Sequence, residues 1–240
     1  MKVYTIEDFE NFETDDYGRK ICPSGDYSQI KQFGKPCVFG ERCSFGERCS
    51  FGESCSFGEW CSFGEWCSFG ESCSFGEWCS FGECCSFGES CSFGESCSFG
   101  EGCSFGECCS FGESCSFGEW CSFGESCSFG ESCSFGESCS FGECCSFGES
   151  CSFGEGCNLE NNLKFENIKE QVDRVVKIDR IGSRKDCTYF FKTLSEIYVR
   201  YGCFFGTIAE FEAQVNKTHK NNEQYKNEYL EAIRYVKSIM

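Results

Sequence analysis

The chemistry-bearing side chains of this 240-residue chain are cysteines, and they recur with a fixed step. Cys occupies every sixth position from Cys37 to Cys157, twenty-one positions in all. Twenty glutamates keep the same step from Glu41 to Glu155. Thiols can hold a metal, form disulfides, attack carbon or simply pack, and carboxylates can hold a cation or act as acid and base. A tetrahedral metal needs four ligands converging on one point. A column of thiols that all point inward, about one strand spacing (~4.8 Å) apart, does not surround such an ion, and its geometry does not suit a disulfide. Free Cys is among the most buried residue types, so the expectation for the repeat is core packing. Catalytic residues, metal ligands and cofactors are all read as none. The single His219 falls at the end of a predicted helix, where a surface role is expected.

The elements that carry these groups follow from the repeat, Cys-Ser-Phe-Gly-Glu-x. Phe, followed by Gly, recurs at the same period from Phe33 to Phe153. Six is an even period, so Cys and Phe, two apart on an extended strand, share one face while Ser and Gly share the other. Gly is expected to ease the bend into the next face, with Glu and the variable residue at the corner. Aromatic residues make up 18% of the chain, so this low-complexity segment has enough to bury and need not be disordered. The unit resembles the hexapeptide repeat of left-handed parallel β-helices, with Phe in the aliphatic place and Cys in the small-residue place. That resemblance implies three hexads per triangular coil, about seven coils and a left hand; the usual crossover rule alone would give the opposite hand. It also brings acyltransferases to mind, but the repeat contains neither the catalytic His nor the loop excursion those enzymes use.

An 18-residue coil sorts the variable position into three columns. Arg42, Trp60 and Trp78 head one, and Arg48 and Trp66 head another, which also holds Trp120. Arg above Trp allows cation–π stacking, and exposed Trp and Arg are enriched at binding hot spots. These six residues are the candidate partner-binding set. The candidate acidic ladder is Glu59, Glu77, Glu95, Glu113, Glu131 and Glu149. The formal charge of −18 resides in the repeat: residues 33–157 carry three Lys/Arg against twenty Glu. Such a rod repels nucleic acid and anionic membranes and attracts basic surfaces. The expected partner is therefore a protein, with a basic nucleic-acid-binding protein as the specific alternative, and self-association is left open.

The expected organisation is an N-terminal cap (1–32), the hexapeptide β-helix (33–158) and a small α+β domain (159–240); the fold class is mainly β. Ile6, Phe9 and Phe12 suggest a short capping helix, and Ile21, Tyr27 and Phe33 an irregular first coil in the six-residue phase. In the last domain, strands are expected at 175–181, 188–192 and 197–205. Thr207 with Glu210 forms a capping box, and Asn222 caps a second helix to about Ser238. Arg180, Arg184 and Lys185 form a basic cluster. The chain's start lacks a signal-peptide pattern, and no apolar run reaches the ~20 residues that span a bilayer, so a cytoplasmic location is expected. Ile21-Cys-Pro-Ser-Gly-Asp-Tyr27, the Cys-Ser-Phe-Gly repeats, Asp179-Arg-Ile-Gly-Ser-Arg184 and Gly202-Cys-Phe-Phe-Gly-Thr-Ile-Ala-Glu-Phe211 resemble a family of phage and prophage proteins. That resemblance implies a mobile-element setting and supplies no catalytic residues.

Overall fold

The structure is a computed structural model. It describes residues 1–154, 157–158, 164–165, 168–170, 172–182, 186–201 and 204–240, with the side chains of 164, 173, 179, 180, 186 and 187 left aside. The chain divides into two compact units, Met1–Asn158 and Leu159–Met240.

In the first unit every hexad from Ser44–Phe45 to Ser152–Phe153 contributes a two-residue strand, Ser-Phe, such as Ser80–Phe81 and Ser98–Phe99, after a first strand Cys37–Phe39. Each pairs in parallel with the strand 18 residues away, Ser80 with Ser98 and Phe81 with Phe99. The same 18-residue register runs through all three sheets. The result is a parallel β-solenoid of about seven coils, three hexads per coil. Each hexad links to its neighbours by main-chain bonds outside the strand as well. Ser98 N donates to Cys79 O at 2.9 Å and Gly100 N to Phe81 O at 2.9 Å.

The interior is aromatic. Phe93 stacks face to face on Phe75 and on Phe111, with centroids 4.8 Å apart in both pairs and planes within 2°. It meets Phe87 and Phe99 of neighbouring faces edge-on at 5.1 Å. Stacked and edge-on contacts are the two favoured aromatic geometries, and the three-sided coil satisfies both at once. Cys fills the smaller space beside each ring, and Cys37 through Cys151 of the repeat are at most 2% exposed.

Gly does not turn the chain. The glycines that follow Phe lie outside the left-handed region; it is the variable residue that adopts it, with φ between 56° and 62° at eighteen non-Gly positions from Arg42 to Ser150 and 66° at Gly102. The glycines are there because coils touch. A Cβ on Gly88 would come within 2.8 Å of the Glu71 nitrogen and the Gly70 carbonyl carbon, closer than atoms can approach.

The N-terminal end is covered by its own aromatics. Helix α1 (Ile6–Glu10) opens with a Thr5–Asp8 capping box. Phe9 packs edge-on against Phe33, and Tyr4 stacks on Tyr27. Ile6 is exposed rather than packed, because a helix this short buries only Phe9. The phase expected at Ile21 is also off by one. Ile21 pairs with Val38, and Cys22 with Phe39, so Cys22 points inward and Ile21 out; a one-residue slip exchanges faces. Tyr27 and Phe33 do keep the phase, stacking on Phe45 and Phe51.

The second unit holds an antiparallel sheet of Val172–Ile181, Asp186–Thr193, Ile197–Tyr201 and Phe204–Thr207 in sequential order. The segment expected as one strand at 197–205 is a hairpin, with Tyr198 opposite Thr207 and Tyr201 opposite Phe204. The Gly202-Cys203 step that interrupts the run lies outside the described residues. Helices α2 (Ile208–Thr218) and α3 (Glu223–Ile239) start at the expected caps, Thr207 and Asn222. Phe190, Val199, Phe211, Tyr229, Ile233 and Val236 form the core.

Candidate interaction surface

The corners of the solenoid hold the charge. At each corner the variable residue's N–H donates to the carbonyl of the Glu one coil on: Arg42 to Glu59 at 2.8 Å, Trp60 to Glu77 at 3.0 Å, Trp78 to Glu95 at 3.0 Å. These bonds lock the corners in register, so the ladder Glu59, Glu77, Glu95, Glu113, Glu131 and Glu149 is a true column. Its members are exposed, and no ion pair among the described residues engages any of them. Neighbouring carboxylates one coil apart repel by roughly 0.8 kcal/mol per pair in water. The close-packed interior opposes that repulsion.

The six aromatic and basic candidates occupy left-handed corner positions, and all are exposed. Trp60 and Trp78 stack on each other at 5.3 Å, with planes 7° apart. The expected Arg–Trp stacking is absent: cation–π contacts among the described residues involve Lys2, Arg19 and Lys20 instead. Trp60 stacks instead on the Trp one coil on, on the side away from Arg42. Trp66 sits on a different corner, and Trp120 lies three coils beyond it in the same column, apart from the other three. Sequence reasoning therefore placed these residues at the corners, where they stand, but joined Trp120 to a patch it does not touch.

The thiols face the interior. Cys91 donates to the Gly70 carbonyl at 3.5 Å and Cys97 to that of Gly76 at 3.4 Å, and the pattern continues along the rod. Hydrogen bonds with thiols one coil away raise Cys97 and Cys103 and lower Cys79 and Cys115, while burial pushes all of them up. Buried away from any attacking partner, they are poor nucleophiles and poor metal ligands. Cys108 and Cys144 are exposed and Cys84 is half-buried. His219 caps α2 and stacks on Tyr229 at 5.3 Å, a packing role. The expected basic cluster lies outside the described residues: Arg184 and Lys185 entirely, Arg180 by its side chain. No helix among the described residues is long and apolar enough to cross a membrane.

Four overlapping stretches, 36–52, 49–64, 54–70 and 66–82, match a family model for an RNA-binding, Nab2-type zinc finger. Together they cover under a quarter of the chain. No curated protein and no solved structure matches. The matched residues do not fit zinc. A Cys3His site needs a histidine, and 36–82 contains none. Every Cys in the stretch lies in the buried columns, and no group of three or more ligating side chains converges among the described residues. Overlapping stretches also share cysteines that separate fingers would each need for themselves. The common element is cysteine spacing.

Proposed function

We propose that this chain is a non-enzymatic acidic scaffold that binds a protein partner, encoded by a phage or prophage and working in the cytoplasm of a bacterial host. The observation that carries this reading is the exposed Trp60–Trp78 stack on a corner that beyond it is built of Ser and Glu. Exposed Trp contributes strongly to binding and has no packing duty here. The rod supplies rigidity, since its interior is filled by Phe and Cys. RNA binding is not carried over from the zinc-finger family, because the repeat is strongly anionic.

A second reading is favoured by the Glu column. Regularly spaced carboxylates without counter-charge resemble the spacing of a nucleic acid backbone, and a rod bearing them would occupy the groove of a basic host protein as an anti-defence inhibitor. Affinity capture from a bacterial host lysate separates the two. For the scaffold, capture is lost when Trp60, Trp66 and Trp78 become Ser, even at low salt, and falls less steeply towards about 0.5 M salt than charge attraction alone would. For the mimic, capture falls steeply with salt and is lost when the six ladder glutamates become Gln. No capture under either condition contradicts both.

A further inference from the structure

We propose that the free face of Trp78 is a docking ledge for the guanidinium group of an arginine-rich partner segment, with Glu95 as its counter-charge; this names the partner chemistry of the protein-binding reading above and rests on it.

Coils are 4.8 Å apart, as the interior rings show, and Trp60 and Trp78 stack along that direction with nearly parallel planes. Their faces therefore look along the rod. Trp78 covers one face of Trp60. Beyond Trp78 in the column comes Ser96, too short to cover an indole, and Trp78 remains 49% exposed. The residue set against Trp78 in that next coil is Glu95, whose main-chain carbonyl accepts the Trp78 main-chain N–H at 3.0 Å. Glu95 is itself exposed and engages in no ion pair among the described residues. An aromatic face, a space above it and the backbone of an exposed, unpaired glutamate at the level of that space thus coincide.

The arrangement recurs. Trp66 is followed in its column by Cys84, with Glu83 accepting from Trp66 at 2.9 Å; Trp120 is followed by Ser138, with Glu137 accepting from Trp120 at 2.9 Å. Only Trp60 lacks a free next level. A guanidinium suits such a ledge because it is planar, is weakly hydrated, stacks on aromatic faces and forks onto carboxylates. Lys offers a hydrated point charge with no plane to stack. A nucleobase would stack, but its phosphates would be repelled by the Glu columns.

The probe is nona-arginine, compared with nona-lysine, titrated into the full chain at near-physiological salt and followed by calorimetry. Arginine is expected to bind more tightly. Changing Trp60, Trp66, Trp78 and Trp120 together to Ser should weaken the arginine peptide by roughly ten- to a hundredfold over the three ledges, from about two- to fivefold per ledge, and leave the lysine peptide nearly unchanged. Trp60 must be included, because losing Trp78 alone would free the face of Trp60 beside Glu77. Ser already occupies this corner elsewhere, so the fold should persist, as circular dichroism would check. Adding Ser96→Trp to that variant should restore part of the arginine preference, since the new ring would lie against Glu113, which already accepts the Ser96 N–H at 2.8 Å. Equal binding of both peptides, indifference to the Trp changes, or no restoration by Ser96→Trp would each overturn the proposal. The peptide is defined, so these outcomes leave capture of a non-basic partner standing, and failed capture from lysate leaves the ledge untouched.

Discussion

Phe93→Ala is expected to destabilise the solenoid by about 3–5 kcal/mol, the range for removing a buried Phe. Phe93 has rings above and below at 4.8 Å and edge-on neighbours on both adjoining faces, so the cavity cannot collapse without shifting two coils. In a stacked repeat each coil contacts only its neighbours, so a mid-rod lesion weakens the coupling between the halves. Urea unfolding followed by Trp fluorescence should move to lower denaturant and broaden or split, because Trp60, Trp66 and Trp78 report one half and Trp120 the other. A single, unshifted transition would show that the stacked rings do not hold the coils.

Gly88→Ala and Ser90→Gly, two residues apart, are expected to differ sharply, in the reverse of the usual order. Gly88 has an ordinary backbone conformation but no room: its Cβ would press on main-chain atoms of the coil below at 2.8 Å. Overpacking against backbone costs about 1–3 kcal/mol or more, and here the upper end is expected because no side chain can move aside. Ser90 has φ of 57°, a conformation that costs a non-Gly residue roughly 1–2 kcal/mol. Gly relieves that strain, and the greater freedom of the unfolded chain takes back roughly 0.4–1 kcal/mol. Ser90→Gly should therefore be neutral or mildly stabilising by urea titration. If Gly88→Ala were harmless and Ser90→Gly costly, the corner would have been assigned to the wrong residue.

This last point marks where the sequence was hard to read. The even period separates inward Cys and Phe from outward Ser, and the structure keeps that division in every hexad. The corner was visible too, but Gly88 and its equivalents suggested the turn, whereas Ser, Trp, Arg and Cys make it. Those residue types carry no signal for a left-handed conformation, and the reason for Gly lies 17 residues away in the coil below, where no local pattern reaches. Ile21 misled because a six-residue phase extrapolated through Pro23 ignores the one-residue slip that Cys22 reveals only by its pairing. The 197–205 hairpin was hidden in a β-branched and aromatic run, with Gly202 the sole hint. For the surface, the Glu column and the Trp corner were legible because spacing alone fixes them. Which ring meets which neighbour depends on side-chain direction, so the Trp60–Trp78 stack forms while the expected Arg–Trp contact does not.

The central claim is that the repeat cysteines are packing inside a closed stack of coils, and thiol counting with an aromatic disulfide reagent tests it most directly. Of the 27 cysteines, 21 among the described residues are buried, Cys22 and the whole repeat column but Cys157. In native, reduced protein, at most the remaining six should react promptly, Cys108 and Cys144 first, while the 21 react only at the rate of unfolding. A metal chelator should change neither number. Prompt reaction of most thiols in the folded protein, or their release by chelator, would contradict a solenoid with a thiol-and-phenyl core.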